Sequence, residues 1–220
     1  MSDNCISEIE ARHIKQLAVM RGWLEGAKFY VAADALELVR GLEKGTRKDG
    51  KTPKFHHQLS VARLLTTLRK EFTFPEETIA AAFLHDILED HGDVWTREKL
   101  EVRFGTRIAD AVWNLSKKTN GLVKEYDRYF ADMTACCIAS IVKLADRAHN
   151  LQTMQGVFSY EKQAAYVAEV DRWFYPMIRQ SRRNFLCQYP AYENLKITLR
   201  NQCLLIKHIH DAVAAAKASA

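Results

Sequence analysis

The stretch that decides the fold reads AAAFLHDILED and runs from Ala80 to Asp90. An apolar run leads into a His-Asp pair, and two more acids follow one helical turn later. Residues four apart on a helix share a face, so His85 would lie beside Glu89, and Asp86 beside Asp90. Burying an unpaired acid is costly, so acids in apolar surroundings usually have a cation or a strong donor as partner. The stretch therefore predicts a buried helix that holds a metal ion.

The His-Asp dipeptide carries little information alone, because a second one occurs at His210-Asp211. The other ligands have to come from distant parts of the chain. Two histidines, His56 and His57, open an amphipathic helix predicted over Phe55–Leu65, and periodicity leaves open which of them faces inward. A lone histidine is more often a satisfied core or surface residue than a ligand, so the pair is a candidate and no more.

Asp146 interrupts a second apolar helix in the way that the His-Asp pair interrupts the first. Asn150 follows it by four residues and Thr153 by three more, so the three side chains share one face. The alternative is an internal salt bridge between Asp146 and Lys143 or Arg147. If the acid is a ligand instead, two imidazoles and two carboxylates from separate helices form a mixed nitrogen and oxygen site. Such a site suits a divalent ion that keeps positions open for water and substrate.

Apolar residues recur at helical spacing along most of the chain, in segments bounded by Gly and Pro. The helices are predicted at Ser7–Leu24, Phe29–Leu42, Phe55–Leu65, Pro75–Gly92, Trp95–Phe104, Arg107–Leu115, within Tyr129–Gln155, and at Tyr160–Gln180 and Asn194–Ala216. The basic loop Gly45–Pro53 is either a solvated connector or a donor-rich contact for a phosphorylated ligand. The polar segment Ser116–Arg128 is predicted to be a mobile loop with a turn at Asn120-Gly121. No alternating strand pattern or linker occurs, so the sequence predicts a single all-α domain.

Composition describes an ordinary globular protein: 220 residues, 48% hydrophobic and 27% charged, with a net charge of +5 that suits an anionic substrate. The cysteines are odd in number and lack a Cys-x-x-Cys spacing, which predicts a reduced, cytoplasmic protein. They are Cys5, Cys136, Cys137, Cys187 and Cys203. No signal peptide or long apolar run predicts a membrane partner. Zinc-finger, P-loop, dinucleotide and Gly-x-Ser-x-Gly fingerprints are missing.

Four ordered strings resemble the hydrolase domain of the RelA/SpoT family, which belongs to the HD-domain metal-dependent phosphohydrolases. They are Arg47-Lys48-Asp49-Gly50-x-x-Pro53, His57, Phe83–Asp90, and Lys143–Arg147-x-His149-Asn150. The resemblance implies a single HD hydrolase domain over residues 1–220, built as an all-α helical bundle. Its expected parts are an N-terminal helical extension at 1–28, the family core at 29–192 and a C-terminal helix at 193–220. No synthetase domain fits in the remainder, so we expect a hydrolase-only small alarmone hydrolase.

The resemblance implies a role for each matching residue. The metal ligands would be His57, His85, Asp86 and Asp146, around an ion that is typically manganese (Mn2+) in this family. The acidic pair that handles the attacking water would be Glu89 and Asp90. The substrate contacts would be Arg47, Lys48, Lys143, Asn150 and Thr153. The implied reaction is attack of an activated water on the 3′-diphosphate of (p)ppGpp, which releases pyrophosphate and GDP or GTP.

The chain departs from the family pattern at several positions. Gln58 stands where the family usually has proline, and His91 stands where it often has threonine. The string Ser116-Lys117-Lys118 replaces a family sequence that borders the substrate, so the preference for guanosine is the least constrained expectation. Alternative substrates are an adenosine alarmone, a pyrophosphorylated tRNA 3′ end, as in toxin-neutralising relatives, and NADPH. Alternatives of other classes are a catalytically silent nucleotide-binding module and a basic nucleic-acid-binding helical protein.

Overall fold

The fold is described by a computed structural model, which covers residues 7–119 and 121–218. Cys5 and Asn120 therefore lie outside the described residues. The α-helices are α1 Glu8–Ala27, α2 Tyr30–Leu42, α3 His56–Thr66, α4 Pro75–Leu84, α5 Ile87–Asp90, α6 Arg97–Phe104, α7 Thr106–Leu115, α8 Tyr126–Thr134, α9 Cys137–Thr153, α10 Tyr160–Glu169, α11 Tyr175–Asn184 and α12 Tyr189–Ala218. The predicted all-α fold is confirmed.

Helix α4 lies at the centre of the bundle and contacts α2, α3, α7 and α9. Every residue of α4 from Thr78 to Leu84 is buried. A helix that is apolar on all sides has no face for solvent, and the small side chains of Ala80, Ala81 and Ala82 let its neighbours approach closely. Helix α9 packs beside it with most of its residues buried. These two helices bring the two interrupted apolar runs of the sequence together.

The predicted helix from Pro75 to Gly92 is wrong in one respect, because α4 ends at Leu84 and the short helix α5 begins only at Ile87. The ring Nδ1 of His85 lies 2.8 Å from the Ala82 carbonyl oxygen, which is a last-turn carbonyl that needs a partner outside the helix. Asp86 has φ −100° and ψ −4°, as in a turn. The backbone N–H of Glu89 accordingly donates to the Asp86 carbonyl oxygen at 3.0 Å and not to that of His85, whereas the N–H of Asp90 still donates to Asp86 at 2.8 Å. The predicted i to i+4 relation is therefore lost between His85 and Glu89 and kept between Asp86 and Asp90.

The polar segment after α7 is also more ordered than predicted. Strands β1 Lys118–Thr119 and β2 Leu122–Val123 pair antiparallel, with Lys118 opposite Val123. Their two-residue connection contains Gly121 at φ 79°, a conformation that favours glycine. The prediction of a loop here is wrong, because two-residue strands are too short to produce a visible alternation of polar and apolar residues.

Proline has different effects at the two predicted C-terminal helices. Tyr189-Pro190 lies between the predicted helices Tyr160–Gln180 and Asn194–Ala216, and α12 begins there, because a proline in the first turn lacks only a donor that has no intrahelical partner. A π-helical turn, Val170–Phe174, joins α10 to α11, just before Pro176. No helix in the described part of the chain combines the length and the apolarity that crossing a bilayer requires. The domain boundaries remain a prediction.

Candidate metal centre

Three helices bring two imidazoles and two carboxylates to one point. His57 Nε2, on α3, lies 3.1 Å from His85 Nε2 and 3.1 Å from Asp146 Oδ1, on α9. Asp86 Oδ2 lies 3.0 Å from His85 Nε2 and 3.9 Å from His57 Nε2. The ligand atoms of His57, His85 and Asp146 all lie within 4.8 Å of one another, and all three residues are buried. Within the described residues, this is the one such group of three.

Contacts of the Nδ1 atoms orient the two imidazoles of the cluster. The Nδ1–H of His85 donates a hydrogen bond to the Ala82 carbonyl oxygen, so Nε2 faces the cluster. The Nδ1 of His57 lies 2.9 Å from Nδ1 of His149. Burial lowers the pKa of His149 to about 3, so its ring is neutral and its Nδ1 can accept a hydrogen bond from the Nδ1–H of His57. Burial also lowers the pKa of His57, which keeps a nitrogen lone pair available in the cluster.

Asp146 is held by two neighbours on its own helix. Lys143 Nζ lies 3.0 Å from one carboxylate oxygen, and Asn150 Nδ2 donates to the other at 2.6 Å. The salt bridge with Lys143 therefore exists together with the contact to His57, and the sequence alternatives do not exclude each other. Arg147 does not take part, because it pairs with Glu169 at 2.6 Å.

The electrostatics of the cluster favour a bound cation. Burial raises the pKa of Asp86, but the charge and hydrogen bond of His85 and the charge of His57 together outweigh burial and lower this pKa to about 2. Burial also raises the pKa of Asp146, but the Lys143 ammonium and the two neighbouring imidazoles together hold this pKa well below its usual range. Burial lowers the pKa of His85, but the charges of Asp86 and Asp146 and its hydrogen bonds together raise it to about 9. The buried carboxylate of Asp146 and the half-buried one of Asp86 thus stay ionised, and a proton on His85 or a metal ion can balance them.

The donor set fits a divalent ion. Two imidazole nitrogens and two carboxylate oxygens, without thiolates, suit ions such as manganese, iron and zinc. Adjacent ligands about 2.1 Å from an octahedral ion lie about 3 Å apart. The separations between His57 and His85, between His57 and Asp146, and between His85 and Asp86 are 3.0 to 3.1 Å and agree with this value. The remaining two separations, from His57 to Asp86 and from His85 to Asp146, are 3.9 Å.

A cavity of 510 Å³ opens beside the cluster and contains most of the predicted site residues in its wall. Those residues are Arg47, Lys48, His57, Asp86, Asp90, Lys143, Asp146, Asn150 and Thr153. Burial lowers the pKa of Arg47, although Asp146, Asp49 and Asp86 oppose the shift. Its guanidinium forms no ion pair with another described residue. Lys48 and Lys162 both lie over the Phe158 ring, 5.2 and 4.0 Å from its centroid. The cavity wall therefore carries the basic groups of Arg47 and Lys48 together with the carboxylates.

Glu89 and Asp90, which the sequence predicts to act together on the attacking water, have different surroundings in the structure. Asp90 lies in the cavity wall. Glu89 is not among the residues of that wall, and its carboxylate accepts hydrogen bonds from the backbone N–H groups of Lys117 and Lys118. The break in the helix after Leu84 explains this divergence, because it removes the relation that placed Glu89 beneath the histidine.

His56 and His57 also diverge. His57 joins the cluster, whereas His56 faces α1, with its Nδ1 3.4 Å from Nδ1 of His13. The second His-Asp pair lies elsewhere, and His210 Nε2 contacts Gln163 Oε1 at 3.0 Å. His149 is the ring that sequence reasoning passed over. Its position three residues after Asp146 on one helix face was the available signal.

Comparison with known proteins gives a consistent picture. The sequence profile of the HD domain matches residues 35–181. A probable guanosine-3′,5′-bis(diphosphate) 3′-pyrophosphohydrolase of Synechocystis is 35% identical over 139 residues, which cover 60% of this chain and 17% of that protein. A guanosine-3′,5′-bis(diphosphate) 3′-pyrophosphohydrolase of Vibrio cholerae is 30% identical over 199 residues, which cover 80% of this chain and 27% of that protein. The chain thus spans less than a third of either relative.

A solved structure is similar as well. It is described as a metazoan ortholog of SpoT that hydrolyzes ppGpp and plays a role in starvation responses. The similarity has a TM-score of 0.54 at 20% sequence identity and covers 75% of this chain and 93% of that one. At this identity the likeness supports the fold alone.

Proposed function

Because the chain belongs to the HD-domain family, we propose that it is a metal-dependent hydrolase that removes the 3′-pyrophosphate from guanosine 3′,5′-bis(diphosphate) and related alarmones. The observation that carries the proposal is the convergence of His57, His85 and Asp146 beside a cavity with a basic wall. The names of the two bacterial relatives support the choice of substrate. The same reasoning places the chain among enzymes of the stringent response.

We assign the ion to His57, His85, Asp86 and Asp146. We propose manganese because it is the ion typical of the family that the sequence resembles, and a set of nitrogen and oxygen donors without sulfur is compatible with it. A bound divalent ion lowers the pKa of water and offsets phosphate charge. Lys143 and Asn150 orient the Asp146 carboxylate, since both contact it directly. Asn150 also has a side-chain oxygen, which is available to the sugar of the nucleotide.

The basic residues of the cavity would hold the substrate. Arg47, half-buried and without an ion pair among the described residues, can form a bidentate contact with a phosphate group. Lys48 lies farther out, over Phe158, and adds a point charge for a second phosphate. We place the base and sugar near Thr153, whose hydroxyl donates to the His149 carbonyl oxygen and can still accept a hydrogen bond.

In the reaction, the oxygen of a water molecule attacks the phosphorus that is bonded to the 3′ oxygen. The bond between this phosphorus and the 3′ oxygen breaks. Pyrophosphate leaves, and the 3′ oxygen becomes the hydroxyl of GDP or GTP. Of the two predicted acids, we assign the proton of the attacking water to Asp90, because its carboxylate is in the cavity wall. For Glu89 we propose a supporting role through the β-hairpin.

The other substrates serve as comparisons. An adenosine alarmone and NADPH share the phosphate chemistry, whereas neither similar relative is named for a tRNA end. A silent binding module would have no chemical need for the complete set of ionised ligands. We also propose a reducing, cytoplasmic location, because the cysteines Cys136, Cys137, Cys187 and Cys203 are all free.

The test is an assay of pyrophosphate and phosphate release with manganese present. The panel contains guanosine 3′,5′-bis(diphosphate), its adenosine counterpart, NADPH and GDP, and metal content is measured on the same preparation. We expect pyrophosphate from the guanosine 3′-diphosphate and none from GDP, which lacks a 3′ phosphate; NADPH can give only phosphate. Full metal occupancy without pyrophosphate release from guanosine 3′,5′-bis(diphosphate) would refute the proposal.

A further inference from the structure

Four side chains beside the cavity form a chain of contacts, and the proposed reaction uses only one of them, Asp90. Lys54, in the loop before α3, places its Nζ 2.8 Å from Glu43 Oε2 and 3.1 Å from Asp90 Oδ2. The other oxygen of Glu43 lies 2.8 Å from His91 Nε2. The end of α2, the loop and the end of α5 are thus joined through one ammonium group and one carboxylate.

Burial makes this chain of contacts more than a surface ion pair. The Glu43 side chain is only 2% exposed, whereas those of Lys54 and Asp90 are each 38% exposed. A half-exposed ion pair alone is weak and screened by salt. A buried carboxylate, in contrast, must keep its partners, because leaving it unpaired is strongly unfavourable. Glu43 therefore fixes the Lys54 ammonium, and the fixed ammonium has Asp90 within reach.

Asp90 needs such an external constraint. Helix α5 has four residues, Ile87–Asp90, which is too short to define the direction of a side chain at its last position. Burial lowers the pKa of Lys54, but the hydrogen bonds and charges of the Glu43 and Asp90 carboxylates together raise this pKa. The ammonium is therefore charged at neutral pH, and both Lys54 and Asp90 lie in the cavity wall.

We propose that Glu43 and Lys54 are positioning residues that hold the Asp90 carboxylate in the cavity wall, and that His91 fixes Glu43 from the other side. The proposal rests on the proposed function, in which Asp90 takes a proton from the attacking water.

The competing role for Lys54 is direct contact with a substrate phosphate, since an ammonium in a cavity wall suits an anion. The two roles differ in kinetics. Loss of a phosphate contact raises KM and weakens the salt dependence, whereas loss of positioning lowers kcat with little change in KM. The comparison of these parameters decides between them.

The experiment compares Lys54→Met, Lys54→Arg, Asp90→Asn and the double variant of Lys54→Met with Asp90→Asn, with Lys51→Met as a matched control in the same loop. We expect Lys54→Met to lower kcat by about ten- to a hundredfold, because small misplacements cost that much. KM and metal content stay within twofold, Lys54→Arg restores most of the loss, and the double variant is no slower than Asp90→Asn. A raised KM with unchanged kcat, or losses that multiply in the double variant, would overturn the proposal.

Two further measurements keep the result interpretable. Lys54→Met removes the ammonium partner of the buried Glu43 carboxylate, which could itself destabilise the protein. The double variant of Lys54→Met with Glu43→Gln removes that buried charge as well, and we expect it to show the same loss of kcat. If the unmodified protein turns over no substrate, the proposed function fails, and positioning is judged from crystal structures. A shift of the Asp90 carboxylate by more than about 1 Å in Lys54→Met, compared with Lys51→Met, supports it. An unmoved carboxylate refutes it.

Discussion

His57 Nε2 lies 3.1 Å from Asp146 Oδ1, although the two residues come from separate helices, α3 and α9. The contact depends on α4, which lies against both helices and carries His85 at its end. The metal centre is therefore a property of the packed core, and variants of the core and of the ligands should have different signatures.

Removing one carboxylate ligand should empty the centre. In Asp146→Asn the shape of the side chain is kept but its charge and one strong oxygen ligand are lost, so we expect less than a tenth of the wild-type metal content and at least about a hundredfold lower turnover. Metal analysis after dialysis and the pyrophosphate assay measure both. His210→Ala is the matched control, because that histidine contacts Gln163 outside the cavity. Stoichiometric metal in Asp146→Asn would show that the acid is not a ligand.

Metal binding should release a proton. The pKa of His85 is raised to about 9, so its ring is protonated at pH 7 and an ion has to displace that proton. The apparent affinity should therefore rise about tenfold for each pH unit between pH 7 and 9, and level off above. Titration calorimetry in two buffers of different ionisation enthalpy counts the released protons. An affinity that is constant over this range would contradict the assignment of the proton to His85.

Metal removal should lower thermal stability. An ion at about a hundred times its Kd stabilises the folded state by about 2.7 kcal/mol, which corresponds to about 5–10 °C in Tm for a chain of this size. Differential scanning calorimetry with manganese and with a chelator measures the difference. His57→Ala should show the same Tm in both conditions, because the site is incomplete. An equal metal response in this variant would place the ion elsewhere.

Glu89 should act on the hairpin and not on the ion. Its carboxylate accepts from the backbone N–H groups of Lys117 and Lys118, so Glu89→Ala should speed hydrogen exchange in residues 117–123 by about tenfold while metal content stays unchanged. Asp90→Asn provides the contrast, with slower turnover and unchanged exchange in the hairpin. Slower turnover in Glu89→Ala with unchanged exchange in the hairpin would restore the role in handling the attacking water that the sequence predicted for this acid.

Overpacking α4 should destabilise the whole bundle. Ala81 is fully buried, so Ala81→Leu should lower the free energy of unfolding by about 1–3 kcal/mol. Ala131→Leu, at an exposed position of α8, should change it by less than about 0.5 kcal/mol. Urea titration followed by circular dichroism measures both variants. An equal change in the free energy of unfolding for both variants would show that the packing around α4 accommodates a larger side chain.

The sequence was sufficient for the helices and for the idea of a buried charged site, because periodicity and apolar runs are local signals. It failed where tertiary contacts decide. A side-chain contact with the Ala82 carbonyl accompanies the end of α4 before Ile87, which periodicity does not report. The hairpin depends on one turn at Gly121. No local pattern in the sequence distinguishes Glu43 from other acids, because its contacts with Lys54 and His91 are formed by residues that are distant in sequence.

The end of α4 at Leu84 has a consequence for the backbone itself. Aligned peptide dipoles give the C-terminus of a helix roughly half a negative elementary charge. The cluster that begins at His85 therefore lies where the main chain already attracts cations, apart from any ionised side chain. Replacing Asp86 with a neutral residue would remove one source of negative potential and leave this one, so the attraction for a cation is partly a property of where the helix stops.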